Sequence, residues 1–322
     1  MLKKYYKIMQ NENRVNFAKS WKSLGQGISV GQFSSCGQML GKSQGRIYVK
    51  KYEPLVEVAK NKITVFLIHD ICQHSGRFNK IVNWMREKNP RMAFIAMDFL
   101  GHGLSSGTRG HFDELKLLVN DFHFMINQFE KKNEDDEKWI ILGHGVGGLV
   151  ALDFLSRFEE GSDKKIDGLI LSNFILKLSS RLLGLEGSSL LKSLGIKNKL
   201  AHVRPYKIFN GKDLLTIPEE ALNYEQDPLV VHRPTFSTIK EIQNKIKSIY
   251  QYSYFLDKPI MLLNSVDNPV CTNESMNYFS KGIKKILLTE KNYSHMKHDL
   301  YNEKDRELVF LDILAWIKLH EI

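Results

Sequence analysis

Acyl-transfer chemistry needs a nucleophile on a sharp strand-to-helix turn, a base within hydrogen-bond reach, an acid that orients the base, and backbone N–H donors for the oxyanion. The pentapeptide Gly143-His144-Gly145-Val146-Gly147 reads as such a turn, since it follows the apolar run Trp139 to Leu142 and opens a helical pattern at Val146. Its outer glycines suit close packing of strand against helix. Its central residue, Gly145, carries no hydroxyl. A second glycine-rich stretch places Gly101, Gly103, Gly107 and Gly110 around His102, Ser105, Ser106 and His111. Four glycines let a loop fold tightly at the carboxyl edge of a parallel sheet, where the sites of such sheets gather. The two histidines read there as loop-holding groups that hydrogen-bond rather than as catalysts, and the two serines as turn residues.

The elements that must position these loops alternate from about Arg46 onward, with β-branched apolar runs giving way to helical patterns. The runs predict strands at Arg46 to Tyr52, Ile63 to Ile68, Ala93 to Met97, Trp139 to Leu142, Leu169 to Ser172, Pro259 to Leu263 and Lys285 to Leu288. Helices are predicted at Phe78 to Glu87, Asp113 to Phe129, Val146 to Phe158, Asn273 to Phe279 and Asp305 to Leu319. That order is the pattern of an α/β protein with a mostly parallel sheet. The charged run Lys131 to Lys138 reads as a solvated loop. Between Asn173 and about Leu256 the alternation stops, and Phe174 to Leu194 is rich in leucine. Such a segment fits a lid over an apolar cavity, and it fits two helices packed on the sheet, the commoner fate of a leucine stripe.

Four motifs in order resemble the monoglyceride lipase, lysophospholipase and serine aminopeptidase S33-like branch of the α/β-hydrolases. They are His69-Asp70-Ile71-Cys72-Gln73-His74-Ser75-Gly76-Arg77-Phe78; Asp98 through Gly101-His102-Gly103 to Arg109-Gly110-His111; Asp227-Pro228-Leu229; and His298-Asp299-Leu300-Tyr301-Asn302-Glu303. The likeness runs from about Gly45 to the C-terminus. It implies an α/β-hydrolase core over 31–172 and 257–322 and a helical cap over 173–256; the basic residues before it read as a leader over 1–30. It also implies a triad in the chain order nucleophile, acid, histidine, which maps to Gly145, Asp267 and His298. The oxyanion donors map to the backbone N–H groups of Ile71 and Val146. The chain departs from the family at 145, where serine is absent, at 263 and 264, and at 70, where a loop glycine has become aspartate. A carboxylate at 70 stands beside a site meant to receive negative charge. Two substitute nucleophiles come into view, a water activated by His298 and the thiol of Cys72. The thiol would have to displace the loop whose N–H groups the reaction needs.

Of the 322 residues 43% are hydrophobic, enough for a sizeable core. Cys36, Cys72 and Cys271 are few and far apart, which argues against a disulfide framework or a zinc site, so no metal and no cofactor are expected. No apolar run reaches the roughly 18 residues that cross a bilayer, and the expectation is a cytoplasmic protein. A net charge of +10 favours acidic partners. Lys3, Lys4, Lys7, Arg14, Lys19 and Lys22 face only Glu12 in the first 22 residues, which reads either as a solvated leader or as an arm for an anionic membrane surface. No nucleic-acid motif is present. The leading expectation is a catalytically impaired family member that keeps a capped apolar pocket for an acyl lipid or monoacylglycerol-like ligand, or serves a protein partner. The competing classes are an esterase with an unusual nucleophile and a basic membrane-surface or scaffold protein.

Overall fold

A computed structural model describes residues 16–36, 45–58, 60–129, 131, 136–158, 166–177, 203, 209–270, 273–320 and 322. Among these residues nine strands form one sheet in the order β1-β2-β3-β5-β4-β6-β7-β8-β9. They are β1 (Lys22–Gly25), β2 (Ile28–Ser34), β3 (Arg46–Tyr52), β4 (Lys62–Ile68), β5 (Met92–Met97), β6 (Glu137–His144), β7 (Gly168–Ser172), β8 (Ile260–Ser265) and β9 (Leu288–Tyr293). From β5 to β9 every pairing is parallel, whereas β1, β2 and β3 run antiparallel to their neighbours. The described helices of eight residues or more are α1 (Asn79–Lys88), α2 (Leu115–Ile126), α3 (Val146–Phe158), α5 (Pro218–Gln226), α6 (Phe236–Ile249), α7 (Asn273–Ser280) and α8 (Arg306–Leu319), and a short α4 (Gly211–Leu214) precedes α5.

Period-two alternation on β4 sends Phe66 and Ile68 to one face and Val65 and Leu67 to the other. The first face packs on α2 and α3 through Leu118, Phe122, Leu149 and Leu152. The second packs on α1 and α8 through Ile81, Val82, Phe310 and Ile317. Both faces are therefore covered, as a parallel sheet requires. Each of these side chains, once buried, favours the fold by roughly 1.5–3 kcal/mol.

Register brings the functional loops to one edge. Ile68 lies opposite Gly143, His144 opposite Ser172, and Asn264 opposite Asn292. The segments leaving β4, β6, β8 and β9 thus start from the same carboxyl end of the sheet. Between β7 and β8 the described residues hold helices α4 to α6 and no strand.

Two sequence expectations are corrected. Lys285–Leu287 is a 3-10 turn, and the last strand begins at Leu288. The apolar Ile286 that suggested a strand is 86% exposed. Residues 22–34, counted largely as leader, form β1 and β2. They join the sheet through a ladder in which Ile28 to Ser34 pair with Tyr52 to Arg46, so backbone pairing and not an apolar stripe defines them. Residues 1–15 of that leader, most of the leucine-rich segment (178–194), 132–135 of the charged run and Cys271 lie outside the described residues. No helix among the described residues is long and apolar enough to cross a membrane.

Candidate active site

The turn after β6 has the expected form. Gly145 sits at φ +54°, in the left-handed region where a β-carbon is strained. Gly147 lies so close to the backbone of β4 that a β-carbon would collide with the carbonyl of Ile68. This brings the first turn of α3, with the N–H of Val146, against the loop that follows β4.

That loop delivers the carboxylate of Asp70. The N–H groups of Ile71 and Val146, the two expected oxyanion donors, both donate to its Oδ1 at 2.7 Å. Its Oδ2 lies 2.8 Å from His298 Nε2. The residue is 4% exposed. Burial alone would raise its pKa, but the hydrogen bond and charge of His298, with the N–H of Val146, hold the carboxyl below its usual range. An ionised carboxylate therefore occupies the two donors expected to form an oxyanion hole and the nitrogen expected to serve as base.

The side chain on the far side of His298 is not the expected one. Asp267 is exposed, and Nδ1 of His298 meets Asn268 Oδ1 at 3.1 Å. The chain leaves β8 at Ser265, turns Val266 and Asp267 outward, and brings the next residue back in. Asn268 Oδ1 also accepts the N–H of Val270 at 3.0 Å, which identifies it as the oxygen of the amide. Nδ1 of His298 must then be the donor, and the hydrogen between Nε2 and Asp70 Oδ2 is a further proton shared by that pair. The negative partner of the imidazole has moved from one side of the ring to the other.

Two more residues enter that the sequence reading did not single out. Asn173 donates from Nδ2 to the carbonyl of His298 at 2.7 Å and accepts the N–H of Ser265 at 2.8 Å, tying the loop after β9 to the end of β8. His144, wholly buried, holds its Nδ1 3.1 Å from the carbonyl of Ser172, so Nδ1 bears the hydrogen. Burial, with the charge of His298 adding to it, lowers its pKa to about 4. Only its place in the turn, between Gly143 and Gly145, marks it in the sequence.

The motif residues outside the site lock its loops together. Asp98 accepts the N–H groups of Ser75 and Leu104, each at 2.7 Å. His74 pairs with Asp227 at 2.9 Å, and Arg77 with Asp299 at 2.6 Å. Arg109 donates to the carbonyls of Gly103 and Leu229. His102 meets the carbonyl of Leu100, and His111 meets Thr235, so both histidines hold the loop by hydrogen bonds.

Beside Asp70 lies a small pocket of about 30 Å³, walled mostly by apolar side chains including Ile71, Phe209, Leu214, Val231, Ile242 and Val270. Cys72 also lines it. Burial, and then the charge of Asp70, push that thiol well above its ordinary value, so it is not a thiolate near neutral pH.

The profile of the serine aminopeptidases, S33, matches residues 59–305. The chain is 26% identical over 290 residues to an uncharacterized abhydrolase domain-containing protein of Dictyostelium discoideum, covering 88% of this chain and 29% of that one. It spans well under two thirds of that relative. It is 23% identical over 259 residues to a monoacylglycerol lipase of Mycolicibacterium smegmatis, with 80% and 88% of the two chains covered. The solved monoacylglycerol lipase of Paleococcus ferrophilus superposes with a TM-score of 0.70 at 21% identity, over 85% of this chain and 99% of that one. That likeness is one of fold.

Proposed function

Since the chain belongs to the serine aminopeptidase S33 family of α/β-hydrolases, we propose that it is a member without serine-type ester hydrolysis that keeps its apolar pocket for a monoacylglycerol-like acyl lipid. The observation that carries the reading is the carboxylate of Asp70 on the two oxyanion donors and on His298. A substrate oxyanion would have to expel that carboxylate, or forgo stabilisation of about 3 kcal/mol per donor. Gly145 offers no hydroxyl to attack with. A water has no free Nε2 on His298 to be activated by, and Cys72 is held as a neutral thiol. The pocket has no such obstacle. Its walls are apolar, and because the enclosed space is small, the lining side chains must part to admit an acyl chain. The names of the lipase relatives favour a lipid, and in this reading the helices within 173–256 serve as the cap over it.

The test is the content of the pocket. The full chain, purified without detergent, is extracted and its lipids identified by mass spectrometry, alongside Ile242→Trp, which fills the pocket from α6. A stoichiometric acyl lipid on wild type and none on the variant is expected. No lipid on either, with no binding of added monoacylglycerol, overturns the reading.

A further inference from the structure

We propose that Asp70, His144 and His298 form a binding site for one divalent transition-metal ion of the zinc class. The three residues come from three separate segments, all are buried, and each brings a ligand atom within 4.8 Å of the other two.

What distinguishes the cluster is how each side chain is held. Asp70 has Oδ1 fixed by two backbone N–H groups, which leaves Oδ2 directed at His298. His298 has Nδ1 fixed by the amide oxygen of Asn268, which leaves Nε2. His144 has Nδ1 fixed by the carbonyl of Ser172, which leaves Nε2. An outer partner on the far atom of each ligand is how metal-binding histidines and carboxylates are oriented. Nε2 of His144 is the independent sign. It is a buried nitrogen with a lone pair and no hydrogen-bond partner, a condition that few buried polar atoms tolerate.

The chemistry selects the ion. Two imidazoles and one carboxylate suit zinc and its neighbours cobalt and nickel, whereas calcium and magnesium prefer oxygen throughout. Donors at about 2.1 Å from a tetrahedral ion stand about 3.4 Å apart, so the 4.8 Å spread must close by roughly 1.4 Å. Three protein ligands leave a further position open, and Asp70 borders the pocket toward which it can face. On binding, the ion replaces the hydrogen between His298 Nε2 and Asp70 Oδ2, and one proton passes to solvent. The site does not depend on whether a lipid fills the pocket.

The experiment titrates the full chain, stripped with a chelator and dialysed, with Co2+ and then Zn2+. One Co2+ per chain, with visible d–d bands that Zn2+ abolishes, is expected. His144→Leu should weaken binding by more than about 100-fold, and Asn268→Ala, which removes only an outer partner, by roughly 10- to 100-fold. His295→Ala, at an exposed histidine, should change nothing. If His144→Leu lowers stability, the isosteric Asp70→Asn supplies the same comparison. Absence of the bands, or stoichiometric binding that survives both His144→Leu and Asp70→Asn, overturns the site.

Discussion

A β-carbon added at Gly145 would stand inside the carboxylate of Asp70, in collision with Cγ and both oxygens. The two residues therefore contend for one volume. A side chain at 145 and the carboxylate of 70 exclude one another, so glycine at 145 and aspartate at 70 are sterically linked.

From this exclusion we predict that Gly145→Ala destabilises the fold by more than the 1–3 kcal/mol of backbone strain at a positive φ, because Asp70 must also give way. Asp70→Gly should relieve the second part. In a double-mutant cycle read by urea unfolding, the pair should be coupled by about 0.5–3 kcal/mol. Simple additivity would mean that the carboxylate swings aside at no cost.

The wild-type chain should not label with fluorophosphonate probes, and its ester turnover should be no better than that of His298→Ala. Stoichiometric labelling, or turnover that His298→Ala specifically removes, would show that a nucleophile exists which the site geometry does not reveal.

Hydrolysis should return in part with two changes and substantially with three. Gly145→Ser alone should be inactive, because serine meets the carboxylate. Gly145→Ser with Asp70→Gly should give weak turnover of a short-chain ester, with the oxyanion donors and Nε2 freed. Adding Asn268→Asp should raise it much further, since an amide in place of the triad carboxylate costs on the order of 10⁴ in kcat in a serine protease. If the triple variant is no faster than the double, His298 is not oriented from position 268.

A pH effect is expected far from this site. Asp121 lies wholly buried on α2, accepting from the N–H of Cys36 and the hydroxyl of Ser35. Burial raises its pKa to about 7, against about 3.9 in an unfolded chain. The folded state thus keeps a proton that the unfolded state loses, so this contribution is fully present below about pH 4 and is lost as pH rises to about 7, a change on the order of a few kcal/mol. Asp121→Asn should remove that slope and gain on wild type in urea midpoint between pH 5 and pH 8. Parallel profiles for the two proteins would refute the assignment.

Much of the frame was legible because its signals are local. The run Arg46 to Tyr52 and the helix Val146 to Phe158 coincide with the observed elements, since each carries its own periodicity. The strand β9 was misplaced because Thr289, Glu290, Lys291 and Asn292 show no apolar alternation, and an edge strand needs none. At the site, Gly145 and the danger at Asp70 could be read from residue types alone. Asn268 could not, because an aspartate one residue earlier satisfied the expected spacing, and only the turn after Ser265 decides which of the two faces inward. His144 escaped notice for a related reason, since its meaning lies in a nitrogen left without a partner.

The outer strands have a consequence for solubility. At one margin β1 is four residues long, fully exposed, begins with lysine and is broken by a bulge between Ser23 and Gly25. At the other, β9 presents Glu290 and Asn292 to solvent, with Lys291 paired to Asp312. Short, charged or irregular margins are poor templates for strand addition. Despite a long run of parallel pairing within, the sheet, among the described residues, offers neighbouring molecules no flat apolar border on which to grow a fibre.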